Sequence, residues 1–311
     1  MAVSLRGRDF ISLHDFSTEE IWQFLETARM LKLRQKAGLE DRPLVGKTLG
    51  MIFTKPSTRT RVSFEVAMVQ LGGYPLFLSS QELQLRRGET IADTAQVLSR
   101  YLDGIMIRTF AHQDVLELAE AASIPVINGL TDLLHPTQVL GDLLTILEKK
   151  GRLEGLKLAY VGDGNNMAHA LLHGGAKVGM HVSIASPEGY KPQPEIVAEA
   201  QADAQKTGAR LEVLTDPAEA VRDADIVYTD VWASMGQEAE KESRVPIFQP
   251  YQVNSALMAR AKPDAIFMHC LPARRGYDTT DEVLDGPQSV VIDEAENRLH
   301  AHKAILALLL G

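Results

Sequence analysis

Short apolar runs alternate with longer amphipathic stretches along most of the chain. The short runs read as strands: TLGMIF (48–53), YPLFLS (74–79), GIMIRTF (104–110), IPVINGL (124–130), KLAYVGD (157–163), HVSIASP (181–187), RLEVLT (210–215), DIVYTDV (225–231), AIFMHCLP (265–272) and SVVID (289–293). Apolar residues recur at helical spacing over 58–71, 89–102, 113–122, 136–149, 166–177, 194–206 and 296–310. Strands rich in Val, Ile and Leu that alternate with helices predict parallel sheets covered on both faces. Ten strands are many for one sheet, and the polar stretch KKGRLEGLK (149–157) offers a break. The predicted fold class is α/β, with two doubly wound parallel-sheet domains joined by interdomain helices. Their predicted bounds are 1–147 plus the C-terminal helix 293–311, and 148–292. The last helix is apolar on much of its surface, through Ala304, Ile305, Leu306, Leu308 and Leu309, so it needs cover, expected from the first domain.

Composition narrows the function classes. A content of 45% hydrophobic and 23% charged residues over 311 positions is that of a soluble globular protein. The net charge of −9 argues against nucleic acid or an anionic membrane as partner, since either needs a broad basic surface. The single cysteine, Cys270, allows neither an intrachain disulfide nor a cysteine set for structural zinc, which points to a reducing compartment. The N-terminal MAVSLRGRDF lacks the apolar core of a signal peptide, and no run approaches the roughly 20 apolar residues of a membrane span. The expected location is cytoplasmic.

In open parallel sheets, ligands bind beyond the carboxyl ends of the strands. Polar clusters directly after strands are therefore the candidates. Ser57-Thr58-Arg59-Thr60-Arg61 follows the first strand and opens a helix, where free N–H groups, hydroxyls and guanidinium groups suit an anion. A capped helix with solvated arginines is the plainer alternative. Arg108 lies late in an apolar strand, where it either finds a partner or reaches solvent. His135-Pro136-Thr137-Gln138 opens another helix, with proline at its favoured first position. Gly162-Asp163-Gly164-Asn165-Asn166 suggests a dinucleotide turn, but Met167 stands where the third glycine belongs. Asp230-Val231-Trp232-Ala233-Ser234-Met235-Gly236 suits an amine or amino-acid pocket, or is a surface loop. His269-Cys270-Leu271-Pro272 ends a strand, and a lone buried cysteine is commonly inert packing.

Taken together, KPSTRTR, HPTQ, DVWASMG and HCLP, in this order and spacing, resemble the carbamoyltransferases, and within them the ornithine carbamoyltransferase family. The resemblance runs from FSTEE near the N-terminus to AENRLH near the C-terminus. It implies that Ser57, Thr58, Arg59 and Thr60 grip the phosphate of carbamoyl phosphate. Arg108 and His135, with Thr60, would bind the carbamoyl oxygen. Gln138 and the carbonyl of Leu271 would hold the carbamoyl amide, with Cys270 beside them and Arg298 completing the set. Gln84, in the loop SSQELQLRRGET, would reach phosphate in an adjacent subunit. On the acceptor side, Asn166 and Met235 would hold the L-ornithine carboxylate, Asp230 and Ser234 its α-ammonium, and Cys270 would lie by the reacting nitrogen. Asp230, Cys270, Arg108 and His135 are thus the expected catalytic residues, while Arg61 is expected to orient the loop. The resemblance further implies a homotrimer or a multiple of trimers with active sites near subunit interfaces, carbamoyl phosphate binding first, and domain closure. No metal or organic cofactor is expected, because carbamoyl phosphate carries its own activated leaving group. Rival readings are the same chemistry on putrescine or an acylated ornithine, a nicotinamide-dependent oxidoreductase, and a non-catalytic anion-binding protein.

Overall fold

The computed structural model describes residues 3–79, 83, 88–233, 236 and 240–311. Its first half contains α1 (Thr18–Lys36), β1 (Thr48–Phe53), α2 (Thr58–Gln70), β2 (Tyr74–Ser79), α3 (Ile91–Leu98), β3 (Gly104–Arg108), α4 (His112–Ala121), β4 (Val126–Leu130) and α5 (Pro136–Lys150). The second half contains β5 (Lys157–Val161), α6 (Asn166–Lys177), β6 (His181–Ala185), α7 (Pro194–Thr207), β7 (Leu211–Leu214), α8 (Pro217–Val221), β8 (Ile226–Thr229), α9 (Lys241–Phe248), α10 (Ser255–Met258), β9 (Ile266–His269), α11 (Asp281–Leu284) and α12 (Val291–Leu310). Two compact units result: Met1–Leu144 with Asn297–Gly311, and Thr145–Glu296. Helices α5 and α12 each carry residues of both.

Each unit holds one parallel sheet, ordered β2-β1-β3-β4 in the first and β7-β6-β5-β8-β9 in the second. The chain winds outward in one direction from β1 and in the other from β3. The same reversal falls between β5 and β8. Loops leaving the carboxyl ends of such neighbours diverge and open a crevice. Strands β3, β4 and β8 are buried along their whole length, as sheets covered on both faces require.

Local chemistry sets the helix starts. Ser17 and Glu20 form a reciprocal cap on α1, Ser57 caps α2, Thr90 caps α3 and Asn165 caps α6. Proline stands at the start of α5, α7 and α8, where a missing N–H costs nothing. Gly208 ends α7 in the left-handed conformation, at φ 77°.

Two readings of the pattern are corrected. SVVID is not a strand: Ser289 makes a single bridge to Phe267, and Val291 already begins α12. Asp293 and Glu294 in the first turn favour a helix N-terminus there, which outweighs the β-branched Val290, Val291 and Ile292 before them. Helix α1 was absent from the periodic stretches although Ile21, Phe24, Leu25, Ala28 and Leu31 bury one face. Exposed Met30 and Leu33 on the other side blur its pattern. Among the described residues, no helix is long and apolar enough to cross a membrane.

Phe10, Phe16 and Phe24 form a triangle with every ring centroid pair at 5.2 Å, and all three are fully buried. Phe24 meets both neighbours edge-on, the arrangement that ring quadrupoles favour. Phe24→Ala should lower the unfolding free energy by about 3–5 kcal/mol, through lost burial and the cavity left behind. A denaturant titration measures this, and a loss under about 1 kcal/mol would show that the core collapses around the gap.

Candidate active site

In the first unit, Thr60 is where the sequence clusters meet. Its hydroxyl oxygen accepts from Arg298 Nη2 at 2.6 Å and from Arg108 Nη1 at 3.4 Å. Ser57 Oγ accepts the Thr60 N–H at 3.2 Å, fixing the first turn of α2. Arg108 is presented by an irregularity: the β3–β4 register shifts between Ile107 and Arg108, so Arg108 pairs with Leu130 and Gly129 is passed over. Such a bulge re-aims the side chain at the end of a strand. Arg59 is half-buried, whereas Thr58 is exposed.

His135 lies immediately before α5 and is buried. Burial, reinforced by Arg298, Arg108, His302 and Arg59, holds its imidazole well below the ordinary histidine value, so it is neutral near pH 7. Its Nδ1 has no hydrogen-bond partner among the described residues. One turn along α5, Gln138 Nε2 donates to Asp142 Oδ1 at 2.8 Å, which orients the amide. The structure therefore brings Thr60, Arg108, His135 and Arg298 together, with Ser57 and Arg59 at the same helix start. Arg61 turns elsewhere, pairing with Glu65 at 2.9 Å and lying 3.7 Å over the ring of Phe77.

The second unit assembles a different chemistry on the loops after β5, β8 and β9. The carboxylate of Asp230 accepts from Cys270 Sγ at 3.1 Å, from Asn165 Nδ2 at 2.9 Å and from its neighbour Val231 N at 2.8 Å. Asn165 does this while capping α6, accepting from Met167 N and Ala168 N at 2.9 and 3.3 Å. Asn166, the residue expected to matter, is the first residue of α6 and is buried. Gly164 is explained by packing: a Cβ there would lie 2.3 Å from Pro192 N and 2.5 Å from Tyr190 O. The glycine of this turn serves a close backbone approach, so the dinucleotide reading loses its support. Gln84, Ser234 and Met235 lie outside the described residues.

Cys270 and Leu271 are held by residues given no role by the sequence, His269 within the same cluster and Asp278 beyond it. His269 Nδ1 accepts the Leu271 N–H at 2.9 Å, so Nε2 carries the proton and donates to Asp278 Oδ2 at 2.7 Å. Asp278 also accepts from Arg274 N at 2.8 Å, and His269 N donates to Glu294 at 2.9 Å. This frame supports Leu271 at φ 57°, a conformation unusual for a branched side chain. The ligand atoms of Asp230, His269 and Cys270 approach within 4.8 Å of one another, a spacing a metal could bridge. Both ring nitrogens of His269 are already engaged, so the trio is built as a hydrogen-bond network.

Arg244, on α9, is a second overlooked anchor. It donates to Asp163 Oδ2 at 2.7 Å and to the Trp232 carbonyl at 2.8 Å, and pairs with Glu240 at 2.9 Å. The Trp232 carbonyl follows Asp230 by two residues, so this pair fixes the segment that leaves β8. Within HCLP and GDGNN, His269 and Asn165 could have been noticed as polar residues in a singled-out motif. Arg244 carries no local signal for Asp163, 81 residues away, and Asp278 lies nine residues beyond His269 in a stretch with no motif of its own.

Charge accumulates around this second cluster. Burial pushes the Tyr160 phenol well above its ordinary value, and Asp230, Asp163, Cys270 and Asp278 add to the effect. Burial likewise raises Asp163 to about 6, against the opposing pull of Arg244. Asp163 should thus take up its proton near pH 6, with the ion pair charged above that pH and lost below it. In Arg244→Met the attraction that lowers the value is gone, so the midpoint should rise further. Carboxyl NMR of labelled aspartate measures both, and a midpoint near 4 in the parent protein would refute the burial argument.

Comparison with known proteins agrees with this layout. The sequence profile of the aspartate/ornithine carbamoyltransferase carbamoyl-P binding domain matches residues 8–148, and that of the Asp/Orn binding domain matches 154–309. An ornithine carbamoyltransferase of Symbiobacterium thermophilum is 66% identical over 308 residues, covering 99% of both chains. One of Pyrococcus abyssi is 62% identical over all 311 residues and 98% of its own length. The solved ornithine carbamoyltransferase of Pyrococcus furiosus superposes with a TM-score of 0.97 at 60% identity, covering 100% of this chain and 99% of its own. With matched profiles over both units and such identity along its whole length, the chain belongs to the aspartate/ornithine carbamoyltransferase family.

Proposed function

We propose that the protein transfers the carbamoyl group of carbamoyl phosphate to the δ-amine of L-ornithine, giving L-citrulline and phosphate. The observation that carries this reading is the opposite sign of the charge around the two loop clusters. Beyond burial, arginines depress His135 in the first unit, while carboxylates raise Tyr160 in the second. The first environment suits a phosphate and a developing oxyanion, and the second suits an ammonium group. The full-length relatives named ornithine carbamoyltransferase support the same assignment.

In this reading the first domain binds carbamoyl phosphate and the second binds ornithine. Ser57, Thr58, Arg59 and the N-terminus of α2 take the phosphate. Two guanidinium groups donate to the Thr60 oxygen, which leaves its own O–H to donate to the ligand in this reading. Thr60, Arg108 and neutral His135 then stabilise the charge that develops on the carbamoyl oxygen. A neutral imidazole donates without giving up its proton outright, which suits an electrophilic role. Gln138, its nitrogen tied to Asp142, and the Leu271 carbonyl take the carbamoyl amide, with Arg298 donating to Thr60. Asn166, Ser234 and Met235 bind the ornithine backbone groups. The attacking amine has an ordinary pKa of about 10.4 and reacts only when neutral. Asp230 and Cys270, already linked by a hydrogen bond, assist its deprotonation in a desolvated setting.

Assembly as a homotrimer or a multiple of trimers, with Gln84 reaching an adjacent subunit, belongs to the same reading and rests on the family resemblance. So does cytoplasmic operation in arginine biosynthesis, to which the anabolic name of the Pyrococcus furiosus relative is parallel.

A colorimetric citrulline assay with carbamoyl phosphate and ornithine should show turnover, with putrescine and acylated ornithines run alongside giving little product. Folded protein that makes no citrulline would sink the reading. Thr60→Val should lower kcat by about 10²–10³, the usual cost of one oxyanion donor. Asp230→Asn should act mainly on the ornithine side, raising its KM while leaving the KM for carbamoyl phosphate near the parental value. Equal effects on both would contradict the division of roles.

A further inference from the structure

One buried cation beside the first loop cluster has no part in the chemistry above. Lys55 stands two residues before Ser57, and its side chain is only 3% exposed. Its ammonium group pairs with Asp132, itself 59% exposed, and lies 4.2 Å over the ring of Phe110. These residues come from three loops: Lys55 from the one after β1, Phe110 from the one after β3 and Asp132 from the one after β4. The same loops are stitched through the backbone, where Thr54 N donates to Arg108 O and Asp132 N to Phe110 O, each at 2.9 Å. Thr131 extends the stitching, contacting His112 Nδ1 at 3.0 Å and accepting from Leu134 N at 3.1 Å.

Each loop leads to one part of the cluster that meets at Thr60: the first runs into Ser57 and the start of α2, the second leaves from Arg108, and the third ends at His135. We propose that Lys55 is a positioning residue that locks these three loops together, so that Thr60, Arg108 and His135 converge on one ligand. A buried ammonium is costly unless it is paired, and here its anion and its aromatic face come from two separate loops. The two contacts tie the first loop to both the second and the third. The proposal rests on the carbamoyl phosphate reading of this cluster.

A direct alternative makes Lys55 a phosphate ligand, and the two ideas differ in sign at Asp132. If Lys55 bound phosphate, removing the competing carboxylate would free it and tighten binding. If Lys55 positions the loops, removing Asp132 loosens them and weakens binding. The test is calorimetric titration with inorganic phosphate, together with steady-state kinetics at varied carbamoyl phosphate, on the parent, Lys55→Met, Lys55→Arg and Asp132→Asn. Lys55→Met and Asp132→Asn should each weaken phosphate binding and lower kcat/KM for carbamoyl phosphate by about 10- to 100-fold, the scale of a misplaced binding group. The KM for ornithine should stay near the parental value, Lys55→Arg should recover most of the loss, and the double variant should be no worse than either single one. Asp132→Asn leaves the buried Lys55 ammonium facing a neutral amide, so some fall in melting temperature is expected; the titrations are run well below it, and Lys55→Arg keeps the test valid where Lys55→Met folds poorly. Parental or tighter phosphate binding by Asp132→Asn overturns the proposal while leaving the carbamoyl phosphate reading standing. A parent protein that binds no phosphate overturns both.

Discussion

Parallel pairing of β1 with β3, and of β5 with β8, is the constraint from which the rest of this protein follows. At each pair the winding of the chain reverses, and loops leaving adjacent strand ends diverge instead of covering one another. Buried backbone must be hydrogen-bonded in those loops, and helix starts supply the means. Ser57 and Asn165 cap the helices that leave the two reversals. Reactive side chains are thereby carried on short, fixed segments, each within a few residues of a buried strand.

The two units use this plan with opposite electrostatics. In the first, arginines crowd about a threonine hydroxyl and a histidine that burial and positive charge keep neutral. In the second, Asp230 is surrounded by a thiol, an amide and a backbone N–H, with further carboxylates nearby. Burying so much charge is expensive, and it is tolerated because each group is met by a partner of complementary chemistry. Arg244 with Asp163, and His269 with Asp278, are the pairings that hold the second cluster in place. Lys55 with Asp132 stands in a similar relation to the first.

These supporting pairs also separate two kinds of polar residue. Some touch a strand end directly and are announced by the strand that precedes them. Others, such as Arg244 and Asp278, act by pairing with a motif residue, Arg244 with Asp163 across the fold and Asp278 with His269 nine residues before it. Their identity as charged residues is common, and their pairing is what makes them specific.

The sequence by itself determined the alternation of buried strands and amphipathic helices, the division into two parallel-sheet units, the caps at Ser57 and Pro136, and the clusters after the strands. Those features are local: alternation, capping and strand termination depend on residues within a turn or two of each other. SVVID reads as a strand because three β-branched residues weigh as much as an acidic first turn until the long helix beyond them is counted. The choice of Asn165 over Asn166 as the partner of Asp230, the bulge that aims Arg108 and the convergence of Arg108 and Arg298 on Thr60 were decided only by tertiary structure. Each depends on contacts between segments far apart in the chain, and a side chain's partner across such a distance is set by how the sheets and helices pack, which no single stretch of sequence encodes.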